Sequence, residues 1–328
     1  MAATRVLSGT RPTGKLHLGH LFGALENYKK LQGQDAFFMI ADLHALTTEY
    51  EDKTKIAENV TEIVIDYLAS GLDPEQCTMF VQSEILEHAN LALLFSMITP
   101  IAWLERNPTY KDQLNELKGK ELHTHGFLGY PVLQAADIAL YKAEKVPVGE
   151  DQLPHLELTR EIIRRFHFLY KKEIFPEPEA VLTQVPKVPG LDGRKMSKSY
   201  GNGIYLADSR EEVTKKVKTM VTDPARKLRS DKGHPEVCPV FFYHKLFNKD
   251  CVQVVAEECS NAARGCVDCK MEMAARLNEF MDPIREKRES WMKKKTEIRQ
   301  ILDRGAKRAR EIASQTLKEA LQAMGLVS

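Results

Sequence analysis

Through the first half of the chain, short apolar runs alternate with longer segments in which apolar residues recur every third or fourth position. RVLSG (5–9), DAFFMIADL (35–43), CTMFVQS (77–83) and KVPVGED (145–151) read as strands. The second of these is almost continuously apolar, as a strand covered on both faces must be. Between them lie helical patterns. LHLGHLFGALENYKKLQ places Leu18, Leu21, Phe22, Leu25 and Tyr28 on one face, and IAENVTEIVIDYLASG is closed by Gly71. Strand, helix, strand, helix in succession predicts an α/β fold with a Rossmann-like, doubly wound parallel sheet, whose ligands sit beyond the carboxyl ends of the strands.

After about residue 205 the pattern becomes almost wholly helical and more charged. Two domains are therefore expected. Residues 1–205 would form the sheet domain with a helical insertion at about 84–130, and residues 206–328 an all-helical domain. Segment 284–310 carries eleven Lys or Arg against four Asp or Glu. Such a run is either a solvated helix face or a surface that meets phosphate backbone.

Composition adds little to this picture. The 328 residues are 43% hydrophobic and 28% charged, and the net charge of +1 points to no partner. The first residues, MAATRVLSGT, lack the apolar core of a signal peptide, and FFMIA (37–41) is too short to cross a membrane. A cytoplasmic protein with reduced thiols and no membrane partner is expected.

Chemistry enters at the first strand-to-helix junction. GTRPTGKL (9–16) nearly matches a P-loop, but Leu16 stands where a hydroxyl should meet magnesium, and Pro12 has no N–H to offer a phosphate. HLGH (17–20) follows. His17 and His20 can donate to phosphate oxygens at a helix start, and Gly19 leaves room beside them. Far along the chain, the Gly-rich stretch PGLDGR precedes KMSKS (195–199), two cations flanked by hydroxyls on a loop, suited to clamp a triphosphate.

HLGH and KMSKS together resemble the two signatures of the class I aminoacyl-tRNA synthetases. SGTRPTGKLHLGH, ADLHALTT (41–48), YPVLQAADIALY (130–141) and VPVGEDQ (146–152) narrow the resemblance to the bacterial-type tryptophanyl-tRNA synthetase family over essentially the whole chain. The resemblance implies activation of L-tryptophan by MgATP and transfer to tRNA(Trp), a homodimer, and an anticodon-binding role for the helical domain. It implies that His17, His20, Lys195, Lys198 and Lys111 act in catalysis. ATP would be held by Arg11, Pro12, Thr13, Gly19, His20, Gly149, Glu150, Asp151, Lys195, Met196, Ser197, Lys198 and Ser199. Asp137 would accept the indole N–H, with Tyr130, Gln152 and His44 around the rest of the amino acid. Tyrosyl specificity on the same fold is the rival reading, and a nucleotide- or RNA-binding relative without catalysis is another.

GCVDCK (265–270) brings two of the six cysteines to Cys-x-x-Cys spacing. Cys238, Cys259, Cys266 and Cys269 together could bind zinc or an iron–sulfur cluster. Cys251 could replace Cys238, but Cys238 lies in a loop free to turn toward a metal. Only one pair is close-spaced, which suits a cluster better than the paired knuckles of zinc sites. A subset of the tryptophanyl family carries a similar four-cysteine pattern with a [4Fe–4S] cluster, with two more residues in its first gap. Cys77, at the head of a strand, reads as a small buried hydrophobe.

Overall fold

A computed structural model describes residues 4–51, 55–110, 122–182 and 187–327. They form two compact units. The first comprises Met1–Gly14, Glu26–Gln184 and Lys294–Ser328, the second Lys15–Leu25 and Val185–Lys293.

The first unit is built on five parallel strands: β1 (Arg5–Thr10), β2 (Asp35–Ile40), β3 (Thr78–Val81), β4 (Lys145–Val148) and β5 (Glu179–Leu182). Their order is β3-β2-β1-β4-β5, so the winding reverses between β1 and β4. The turns that leave those two strands, 11–14 and 149–152, stand where an open α/β sheet binds its ligands. Every residue of β3 and residues 36–40 of β2 are buried, which explains their unbroken apolar sequence. DAFFMIADL is strand only to Ile40, because Asp42 already begins the helix Asp42–Glu49. The edge strand β5 is half exposed and had no clear alternation to announce it.

Helices Glu87–Ile98, His125–Leu140 and Leu153–Tyr170 pack into the core of this unit through Phe95, Ala135, Ile138, Leu156, Ile162 and Phe166. Helix Lys295–Ala323 joins them through Ala306, Ala309, Ala313 and Ala320. It lies so close to the edge strand β3 that a Cβ on Gly305 would stand 1.8 Å from the backbone oxygen of Met79. A covered edge cannot recruit a foreign strand. The C-terminal helix thus packs with the sheet, although its composition had grouped it with the helical domain.

The second unit contains helices Arg210–Thr219, Pro239–Phe247, Val252–Ser260 and Cys266–Met292. The HLGH segment belongs to it. Leu18 N donates to Ile204 O at 2.9 Å and Leu206 N to Leu16 O at 2.9 Å, a short two-stranded contact that ties residues 16–18 to 204–206. Phe22 stacks on Phe280 at 5.8 Å.

Candidate active site

Two separate clusters of polar side chains carry the chemistry, one in each unit.

In the helical unit, His17 and His20 face each other with ring centroids 3.8 Å apart. His20 Nδ1 accepts from the backbone N–H of His17 at 3.2 Å, which leaves the ring proton on Nε2. Burial, then the nearby Lys198 and Lys195, push His17 down to about 4. Burial, then His17 and the same two lysines, hold His20 well below the ordinary imidazole value. Both are neutral near pH 7, so they offer N–H groups while the lysines supply positive charge. A Cβ on Gly19 would lie 2.9 Å from the His17 ring, so glycine here makes space for that imidazole.

The KMSKS loop is held from within. Met196 is buried, and its N donates to Val188 O at 3.0 Å. Ser197 Oγ lies 2.8 Å from Ser199 Oγ. The buried side chain of Asn202 accepts from Ser197 N at 2.8 Å and donates to Asp192 Oδ1 at 2.7 Å and Lys195 O at 3.2 Å. A Cβ on Gly190 would stand 2.4 Å from that amide, which is why the preceding stretch is glycine-rich. Tyr243 Oη anchors the loop base through Pro189 O at 2.7 Å.

In the sheet unit, Asp137 is 2% exposed. Its Oδ1 accepts from Gln82 Nε2 at 2.8 Å and His88 Nδ1 at 2.6 Å, and its Oδ2 accepts from His44 Nε2 at 2.7 Å. Burial alone would raise this carboxyl, but His44 and His88 bring it below the usual carboxylate range. A carboxylate offers about four lone-pair sites. Three are filled among the described residues, and the fourth, on Oδ2 beside His44, can take one more N–H. His88 Nε2 lies 2.8 Å from Tyr141 Oη.

Nearby, the Tyr130 ring meets His44 edge-on at 6.4 Å. Its hydroxyl is 2.9 Å from His155 Nε2, and His155 Nδ1 is 3.0 Å from Gln152 Oε1. Gly149 precedes this turn, and a Cβ there would come 2.8 Å from Asp151 Oδ1. Arg11, Pro12 and Thr13 form the turn after β1, closed by Thr13 N to Arg11 O at 2.9 Å. Glu150 and Asp151 are exposed at the start of the turn after β4. Lys111 lies outside the described residues.

Asp137, Tyr130, Gln152 and His44 are thus brought together, as are His17, His20, Lys195 and Lys198. Gln82, His88, His155 and Asn202 were missed. His155 follows Gln152 by one helical turn and Asn202 follows KMSKS by three residues, so their spacing was a usable signal. His88 and Gln82 had none.

Arg299, Arg304 and Arg308, although more than half exposed, each have an acidic partner. They pair with Glu84 at 2.6 Å, Glu75 at 2.9 Å and Asp35 at 2.6 Å, so part of the basic run fastens the last helix to its own unit. The four cysteines form a looser group than a closed cage. Among the described residues, no three His, Cys, Asp or Glu gather as an ion would require. The Cys259 thiol does feel Cys238 and Cys266, and the Cys269 thiol feels Cys238 and Cys259. Burial pushes Cys269 up to about 12. Cys251 instead acts on Arg276.

The first unit thus offers a buried carboxylate held by two histidines and a glutamine beside a parallel sheet, and the second offers neutral histidines near two lysines, groups suited to meet phosphates. The chain belongs to the class I tRNA synthetases of the tryptophan and tyrosine type, whose family model, "tRNA synthetases class I (W and Y)", matches residues 1–282. It is 53% identical to the tryptophan–tRNA ligase of Thermotoga maritima, covering 98% of this chain and 99% of that one. It is 46% identical to that of Aquifex aeolicus, covering 98% and 100%. A solved tryptophanyl-tRNA synthetase from Campylobacter jejuni, complexed with ADP and tryptophan, superposes with a TM-score of 0.88 at 34% identity, covering 98% of this chain and 100% of that one.

Proposed function

We propose that the protein activates L-tryptophan with MgATP and transfers it to tRNA(Trp). The observation that carries this reading is the remaining lone pair of Asp137, a buried acceptor suited to the single polar hydrogen of an indole. Tyr130 and Gln152 hold the ammonium and carboxylate of the amino acid. Gly149, Glu150 and Asp151 serve the nucleoside side, the Arg11–Thr13 turn and His17, Gly19 and His20 also meet ATP, and Lys195, Met196, Ser197 and Lys198 close over its phosphates. Lys111 is proposed as a further phosphate ligand.

The reaction needs no side-chain nucleophile. A carboxylate oxygen of tryptophan attacks the α-phosphorus, the bond to the bridging oxygen breaks, and that oxygen leaves with magnesium pyrophosphate. Negative charge grows on the leaving group. Lys195 and Lys198 meet it as cations, and the neutral histidines meet it as N–H donors, with no proton to gain or lose. Transfer then joins the acyl group to a terminal hydroxyl of the tRNA and releases AMP.

Tyrosyl specificity is the rival. A phenol O–H can also donate to the Asp137 carboxylate, so the rival differs in the shape of the ring and the place of its donor, whereas phenylalanine, which has no donor, should be rejected by roughly 10⁴ or more. The test is transfer of labelled tryptophan to a tRNA(Trp) transcript. Charging supports the reading, and charging of tRNA(Tyr) with tyrosine instead overturns it.

Three further assignments belong to this reading. A homodimer is supported by a row of exposed apolar side chains, Leu86, Leu93, Met97 and Ile101, on or beside helices 87–98 and 101–105. Cytoplasmic residence fits tRNA charging, and among the described residues no helix is long and apolar enough to cross a membrane. The helical unit is assigned to tRNA, with Cys238, Cys259, Cys266 and Cys269 as ligands of a [4Fe–4S] cluster, or of zinc. The influence of Cys238 and Cys266 on the Cys259 thiol, and of Cys238 and Cys259 on the Cys269 thiol, supports the donor set, and the separate setting of Cys251 favours Cys238. The cluster would brace the unit and takes no part in activation. Anaerobic protein with about four irons per chain supports it, one zinc per chain replaces it, and metal-free protein active in charging removes it.

A further inference from the structure

Asp151, Gln152, His155 and Tyr130 form one hydrogen-bond chain, and its direction follows from its first link. Gln152 Nε2 lies 2.9 Å from Asp151 Oδ2. A carboxylate accepts only, so the amide is turned with its nitrogen toward Asp151 and its oxygen toward His155. An amide oxygen also accepts only, so His155 Nδ1, at 3.0 Å, carries the proton. His155 is 1% exposed, and burial, then nearby His44, push it down to about 4. The ring is neutral and its Nε2 is bare. Tyr130 Oη, at 2.9 Å, must therefore donate to it.

We infer that His155 is a positioning residue that commits the Tyr130 proton inward, so that the tyrosine oxygen meets the substrate ammonium with lone pairs only. The same chain fixes which end of Gln152 faces Asp151 and leaves one hydrogen of its Nε2 to donate to the substrate carboxylate. With the chain reversed, Tyr130 would turn a hydroxyl proton toward the ammonium and repel it. The inference rests on the proposal that Tyr130 and Gln152 hold the amino acid. It adds that recognition of the ammonium is set from one shell further out, by a residue that need not touch the ligand.

The alternative is that His155 only fills the core. The two differ in which ligand suffers when it is replaced. Binding of L-tryptophan and of indole-3-propionate, which lacks the ammonium, is measured on the wild type, His155→Phe, His155→Gln and Tyr130→Phe, with thermal midpoints to verify folding. Loss of one hydrogen bond to a charged group predicts tryptophan binding weakened about 10- to 100-fold in His155→Phe, with indole-3-propionate nearly unchanged. His155→Gln, whose amide oxygen can accept from Tyr130, recovers most of the loss. Adding Tyr130→Phe to His155→Phe costs little more, because both remove the same contact. Equal weakening of both ligands, or no gain of glutamine over phenylalanine, overturns the inference while the substrate reading stands. A folded wild type that binds no tryptophan overturns that reading instead.

Discussion

His88 Nδ1 donates to Asp137 Oδ1 across 2.6 Å, and the two side chains are 0% and 2% exposed. The acceptor proposed for the indole is therefore braced from behind, and its orientation depends on a residue that need not meet the substrate. Asp137→Ala should raise the KM for tryptophan by about 100-fold or more and relax discrimination, because three donors lose their acceptor together with the substrate. His88→Ala should raise KM by about 10-fold, since the carboxylate remains but can turn. Amino-acid-dependent ATP–pyrophosphate exchange reads both. An unchanged KM in Asp137→Ala would show that this carboxylate is structural.

Asn202 gives a different signature. It joins Ser197 N, Asp192 Oδ1 and Lys195 O, so it shapes the loop that carries both lysines. Asn202→Ala should lower kcat for activation by about 10-fold or more, with tryptophan binding in the absence of ATP unaltered, because the contacts it arranges act mainly on the leaving phosphates. A rise in tryptophan Kd with normal kcat would contradict this.

Gly305 allows a prediction against helix propensity. Alanine is ordinarily better than glycine within a helix by about 1 kcal/mol. Here the added Cβ would meet the Met79 backbone oxygen. Gly305→Ala should destabilise the sheet unit by about 2–3 kcal/mol, as overpacking against an unyielding backbone does. Denaturant unfolding measures it, and a stabilised variant would show that the helix can slide off β3.

The folded state also disfavours protonated His17 and His155, both pushed down to about 4. In the unfolded chain they bind protons near the ordinary value of about 6.5. Between these values the unfolded state holds more protons, so stability falls as pH falls. Each histidine should contribute on the order of 1 kcal/mol of loss per pH unit across that window. The unfolding midpoint should be nearly flat between about pH 7 and 8 and drop between about pH 6.5 and 4. Replacing His155 by glutamine should reduce the slope, and an unchanged slope would show that His155 is charged in the folded state.

Sheet and motifs were legible because each rests on local pattern. A strand covered on both faces must be apolar along its length, as residues 36–40 are, and HLGH and KMSKS are short runs whose residues act together. What stayed hidden depends on distant packing. The chain positions of the last helix and the sheet say nothing of the contact between Gly305 and Met79. The arginines of 299–308 looked available because their partners, Glu84, Glu75 and Asp35, lie more than 200 positions earlier. His88 was unreadable for the same reason, since its meaning comes from Asp137, 49 residues on.

If the buried Asp137 cluster selects tryptophan, ATP–pyrophosphate exchange driven separately by each of the twenty amino acids, on wild type and Asp137→Ala, will show it. Efficient exchange is expected with tryptophan alone in the wild type, with phenylalanine, which has no donor, lower by roughly 10⁴ or more, tyrosine well below tryptophan, and the gaps narrowed in the variant. Exchange driven equally by tyrosine in the unaltered protein, or driven by no amino acid at all, would contradict it.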